Sequence, residues 1–210
     1  APTTTTTCPD SLRRLHDCRG IRLLRERPAV IDEQIRALCR AACHGRLRIL
    51  VPFVTDTSEI VAVRERIDVT RSTLQASGIE SGSCEVGATI EVPAAVMLAD
   101  ELASLCDFFA IGTNDLSQYM LAISRDAPTT LRADLPHPAL LRALVHVNSI
   151  ADRHDLDVCL CGEWASEPEA IGLLLDTGLR ELSVSPRLAP AVRSAIAEVS
   201  VRPNHSESKP

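Results

Sequence analysis

Short apolar runs alternate along this chain with longer stretches in which apolar residues return every three or four positions. The runs Arg48–Val51, Val86–Glu91, Asp107–Ile111, Asp157–Cys161 and Glu181–Val184 have the length of buried strands. Several are apolar on both faces, as parallel strands covered by helices are. Between them the period is helical. Pro28 opens one helix, with Asp32 and Glu33 near its positive end, Ile31, Ile35, Leu38 and Ala42 along one side, and Gly45 as the stop. Thr57 or Ser58 caps a second helix over Glu59–Ala76, and Gly78–Ser83 is a loop. Pro93 begins a helix to Ala103. Further helices are expected over Leu116–Ser124, Pro138–His154, Pro168–Asp176 and Leu188–Val199. Arg19–Leu24 is a short basic-apolar segment, and a loop runs from Ser124 through Pro136.

Strand–helix alternation favours a doubly wound parallel sheet or a β/α barrel. No Gly-x-Gly-x-x-Gly follows a strand, which argues against a dinucleotide fold. With 210 residues the chain is short for a barrel, which typically needs about 250. Residues 1–15 are expected to be a flexible N-terminus, 16–200 the folded domain and 201–210 a disordered tail.

Composition narrows the function. Apolar residues make up 45% and charged residues 24%, ordinary values for a globular protein. No apolar run approaches the roughly 20 residues of a membrane span, and Ala1–Thr7 lacks a signal pattern, so no membrane attachment is expected. The net charge of −6 disfavours nonspecific nucleic-acid binding. Three Phe, one Tyr and one Trp are too few to expect aromatic stacking platforms to carry the function. The eight cysteines fit a reducing cytoplasm better than a disulfide scaffold. Cys39 and Cys43, four apart on a helix, read as small core residues, and Cys159-Leu-Cys161 is not a zinc or redox pair.

The polar residues at strand ends are the candidate chemistry. Glu91 ends one run, Asn114 and Asp115 follow the next, and Cys161, Gly162 and Glu163 end a third. In parallel α/β folds the C-terminal strand ends form the active face. Glu91 and Asp115 are a candidate pair for one Mg²⁺, which takes one or two carboxylates, waters and phosphate oxygens. Taken singly, each carboxylate is more often a helix cap or a surface charge. Arg19, Arg22, Arg48 and Arg125 lie in or beside apolar segments, where a guanidinium needs an anion. Cys161 is mostly protonated at neutral pH, so it can serve as an acid. His137 reads as a loop contact.

Glu91-Val-Pro-Ala-Ala, Asp107-Phe-Phe-Ala-Ile-Gly-Thr-Asn-Asp-Leu-Ser-Gln-Tyr119 with Arg125 following, and Cys161-Gly-Glu together resemble the phosphoenolpyruvate (PEP)-binding domain of PEP-utilising enzymes. Among these the chain is most similar to enzyme I of the sugar phosphotransferase system, particularly its multiphosphoryl-transfer forms. Arg19-Gly-Ile-Arg22, Leu47-Arg48-Ile and Leu182-Ser-Val-Ser185 extend the resemblance to about residues 19–199. Pyruvate phosphate dikinase and PEP synthase are related. The resemblance implies a TIM (β/α)8-type barrel, here incomplete with about six of eight βα units and the first two missing.

The resemblance also implies an activity. PEP and Mg²⁺ bind the barrel, and the phosphoryl group passes to a histidine on a separate N-terminal domain with release of pyruvate, in sugar uptake. It implies Glu91 and Asp115 as Mg²⁺ ligands, Arg19, Arg48, Asn114 and Arg125 as PEP contacts, and Cys161 as the proton donor. The implied partners are the phosphohistidine domain, a histidine-containing phosphocarrier protein and a second copy of the chain. Departures are visible: Val51-Pro-Phe stands for the more usual Phe-Pro-Met, and Ser124-Arg125-Asp126 for Asp-Arg-Gly. A non-catalytic PEP-binding or dimerisation module is the competing expectation, and a lyase or aldolase on a related barrel is a third.

Overall fold

The computed structural model describes residues 19–123 and 137–201. Arg125 and the loop through Pro136 lie outside the described residues. So do the expected tails 1–15 and 202–210, while Val201 belongs to the last helix.

Gly20–Arg22 is a 3-10 turn that leads into helix α1, Leu23–Glu26. Helix α2, Pro28–Ala41, opens on its proline and buries Ile35 and Cys39. Strand β1 is Arg48–Val51, followed by α3, Thr57–Ala76. The cap of α3 is Asp56, one residue before the expected Thr57. Its side chain accepts from the Ser58 N–H at 2.8 Å, and the Glu59 carboxylate accepts from the Asp56 N–H, which satisfies orphan donors of the first turn.

Strand β2 is Glu85–Ile90. The helix expected over 93–103 is two short ones, α4 (Pro93–Met97) and α5 (Ala99–Ala103), separated at Leu98, whose ψ of 18° leaves the helical range. Strand β3, Phe108–Gly112, runs into α6, Thr113–Leu121. Helix α7 is Pro138–Arg153, capped by the His137 ring, which accepts from the Ala139 N–H at 3.2 Å. Strand β4 is Asp157–Cys161, α8 Ile171–Asp176, β5 Glu181–Ser183 and α9 Ala189–Val201.

The five strands are all parallel and lie in the order β1-β2-β3-β4-β5. A doubly wound sheet reverses its strand order at a switch point. Consecutive parallel neighbours joined by helices are instead the wall of a β/α barrel. Arg19–Arg22, which the barrel reading counts toward a sixth unit, is turn and helix rather than strand.

Alternation along the strands separates two faces. Val86, Ala88, Ile90, Phe109, Ile111 and Leu160 join the core beneath the helices, together with Ile60, Leu74, Leu102, Leu116 and Leu144. The intervening residues share the inner face. Register sets Gly87 beside Phe108 and Phe108 beside Asp157, then Ala110 beside Cys159, then Gly112 beside Cys161 and Cys161 beside Ser183. That last row is the C-terminal rim. No helix among the described residues is long and apolar enough to cross a membrane.

Candidate active site at the C-terminal strand ends

Each side chain of the site follows an apolar run and so projects from the same rim. Glu91 follows β2 and is buried, with 7% of its surface exposed. Its Oε1 accepts from the Phe53 N–H at 2.7 Å. Gly112 lies across from it: a Cβ there would come within 2.9 Å of both Glu91 Cβ and Oε2. The missing side chain therefore makes room for the carboxylate. Burial raises the Glu91 carboxyl above the ordinary glutamate range; the Phe53 N–H opposes this, Asp115 adds to it and Arg19 opposes it.

Asp115 sits in the first turn of α6. Its Oδ1 is buried with no hydrogen-bond partner among the described residues. Among the described residues the cation beside it is Arg19, whose Nη2 is 3.8 Å away, too far for a hydrogen bond. The Arg19 guanidinium also lies over the Phe53 ring, 4.6 Å from its centroid, and Tyr119 meets that ring edge-on at 6.5 Å. The Ile21 N–H donates to the Pro52 carbonyl at 3.1 Å, which ties the Arg19 segment to the loop after β1. Phe53 holds a φ of 59°, the left-handed region that an aromatic residue rarely adopts. Its contacts to Glu91 and Arg19 offset that strain.

Cys161 ends β4, and its S–H donates to the Ile111 carbonyl at 3.4 Å. Burial raises its pKa, and the Glu91 carboxylate raises it further, so it carries its proton at neutral pH. Gly162 lets the chain pass tightly over α6. A Cβ at this φ of 147° would stand 2.0 Å from Thr113 Oγ1. Asn114 Oδ1 accepts from the Glu163 N–H at 3.1 Å and so joins the two loops.

Arg19, Glu91, Asn114, Asp115 and Cys161 are thus brought to one rim. Arg48 is not. It is the first residue of β1, at the opposite end of the sheet, where it bonds Glu85 and Asp157 at 2.6 Å each and covers the Phe108 ring. Both carboxylates hold its guanidinium at that end. Phe53, Tyr119, Gly112 and Thr113 belong to the site through contacts that residue chemistry alone did not single out. A groove of about 910 Å³ lies elsewhere, in the helical layer between α2 and α3.

Comparison with known proteins identifies the family. Residues 17–201 match the family model described as PEP-utilising enzyme, PEP-binding domain. A multiphosphoryl transfer protein of Xanthomonas campestris is 43% identical over 180 residues, 85% of this chain and 21% of that protein. A phosphoenolpyruvate-protein phosphotransferase of Haloferax volcanii is 39% identical over 173 residues, 80% of this chain and 31% of that protein. The chain thus spans about a fifth to a third of the length of these curated relatives. Among solved structures, a citrate lyase from Burkholderia xenovorans shares the fold, with a TM-score of 0.59 at 17% identity over 78% of this chain and 53% of that one. The C-terminal rim with its carboxylates, arginine and thiol therefore sits on a scaffold of known kind: this chain belongs to the PEP-utilising enzyme family, which it matches in the PEP-binding domain.

Proposed function

We propose that the chain is the PEP-binding part of an enzyme I-type phosphotransferase that binds PEP with Mg²⁺ and passes its phosphoryl group to a histidine on another domain. The observation that carries this reading is the convergence of Glu91, Asp115, Arg19 and a protonated Cys161 on one rim. Two carboxylates are a normal protein share for Mg²⁺, with phosphate oxygens and water completing its shell. The buried, unpartnered Asp115 Oδ1 and the space that Gly112 leaves beside Glu91 Oε2 suit a bound cation. Glu91 and Asp115 would hold the ion, which when bound neutralises charge on the transferring phosphoryl group.

The chain's own residues do the rest. Arg19, held over the Phe53 ring, meets the PEP anion, and Asn114 orients it from the start of α6. Arg125 enters the reading through the family resemblance. As the phosphoryl group departs to histidine, the enolate left behind takes a proton at carbon from the Cys161 thiol and leaves as pyruvate. The partners are the phosphohistidine domain, a phosphocarrier downstream of it and a second copy of this chain. The setting is the cytoplasm and the pathway sugar uptake.

Calorimetry with PEP and Mg²⁺ tests binding; a separately made enzyme I histidine domain then tests transfer. Mg²⁺-dependent PEP binding followed by phosphohistidine and pyruvate supports the reading. Binding without transfer leaves a PEP-binding module, and no binding at millimolar PEP rejects the site.

A further inference from the structure

Helix α6 reaches the site twice. Asp115 and Tyr119 stand one turn apart on the same face of this helix. Asp115 lies 3.8 Å from the Arg19 guanidinium. Tyr119 packs on Phe53, with ring centroids 6.5 Å apart and planes at 86°. The two contacts meet again at the loop after β1, because the Arg19 guanidinium covers the Phe53 ring at 4.6 Å from its centroid. Through these contacts α6 touches both the arginine and the ring on which it rests. Phe53 needs support of this kind. Its φ of 59° is strained for a bulky residue, and its N–H is committed to Glu91 Oε1 at 2.7 Å. The core does not depend on Tyr119 for filling: Met120 and Leu121 pack against it, whereas Tyr119 is 43% exposed. What the tyrosine ring does touch is the Phe53 platform, in one of the favoured aromatic geometries.

We propose that Tyr119 is a positioning residue for the PEP site, holding the Phe53 ring in the orientation on which Arg19 rests. The inference rests on the reading of this rim as a PEP site. Tyr119 touches no reacting atom in it. Its ring fixes the Phe53 ring, the Phe53 ring places the guanidinium, and the guanidinium meets the anion. Because Asp115 lies on the same helix face, the arginine and the carboxylate are presented together at a set spacing. Less ordering is then left for the ligand to impose, and affinity gains by that amount. The part belongs to the tyrosine ring rather than to its hydroxyl.

The test measures PEP affinity with Mg²⁺ by calorimetry on the whole chain and on variants checked for fold by circular dichroism. Tyr119→Leu keeps an apolar side chain but loses the ring, and should weaken PEP binding about threefold, near the lower end of what an aromatic pair gives. Tyr119→Phe should restore the parent affinity. In a Phe53→Ala background Tyr119→Leu should cost nothing further, because both act through one contact. A second readout needs no variant. Tyr119 is the sole tyrosine of the chain, so isotope-labelled tyrosine gives one set of ring signals in NMR, and PEP with Mg²⁺ should move them. Parent-like affinity in Tyr119→Leu overturns the inference and leaves the PEP reading standing. The same holds for an equal loss in the Phe53→Ala background, which is the mark of a general packing role, and for ring signals that ignore a bound ligand. A Tyr119→Phe variant as weak as Tyr119→Leu would transfer the effect to the hydroxyl and overturn the part given to the ring. Failure of the parent to bind PEP at millimolar concentration rejects the reading of the site, and the inference with it.

Discussion

At the scale of single residues, the site spends stability on charge. Glu91 keeps a carboxylate in a nearly dry position where, among the described residues, one N–H answers it. Burying such a group is costly, and functional positions often retain that cost. Glu91→Gln should therefore raise the melting midpoint of the unliganded chain, by roughly 2–4 °C, while abolishing Mg²⁺-dependent PEP binding in calorimetry. A lowered midpoint would mean that the carboxylate is paired more fully than this geometry allows. Phe53 works by shape. Its backbone steadies Glu91 and its ring supports Arg19. Phe53→Ala keeps the N–H and removes the ring, so it should weaken PEP affinity about threefold, as the loss of one partly exposed cation–π contact does. Unchanged affinity would show that Arg19 needs no platform.

At the scale of elements, the two ends of the sheet do different work. The N-terminal end is tied by Arg48 between Glu85 and Asp157, with Arg46 on Glu85. Hydrogen bonds from Arg46 and Arg48 hold the Glu85 carboxyl below its ordinary value of 4.5. Its stabilising effect is therefore present above that value and lost as pH falls through the lower folded value. Glu85→Gln should melt a degree or two lower than the parent at pH 7, about what exposed pairs give, and the gap should close as pH falls below the ordinary glutamate range. A constant gap across that range would remove the charge from the explanation.

Much of this was legible in the sequence. The runs at 86–91 and 107–111 stand out because both faces of β2 and β3 are buried, and Pro28, Pro93 and Pro138 mark helix starts. The break at Leu98 carries no such mark. Arg48 was grouped with the PEP contacts, although its position held a signal that sets it apart. It precedes its apolar run, whereas Glu91, Asp115 and Cys161 follow theirs, and only the latter rim is active in parallel α/β folds. Phe53 also follows a run. It stayed hidden because its part is played by a backbone N–H and a ring face, which residue type does not announce.

At the scale of the whole molecule, the site exists only as an assembly. Arg19, Phe53, Glu91, Asn114–Asp115 and Cys161 come from segments spread over more than 140 positions, each held by a different strand end or turn. A ligand that bridges several of these segments must stabilise the fold as a unit. Saturation at about 100 times the dissociation constant adds about 2.7 kcal/mol, which is roughly 5–10 °C for a chain of this size. PEP with Mg²⁺ should produce that shift in differential scanning calorimetry. Glu91→Gln should show none of it. Arg48→Met, at the far end, should start from a lower midpoint yet show the full shift. Cys161→Ser should also show it, because in the proposed reaction the thiol acts only on the enolate that forms after phosphoryl transfer. Loss of the shift in Cys161→Ser would make the thiol a binding group rather than the acid, and its loss in Arg48→Met would bring the opposite end of the sheet into the site.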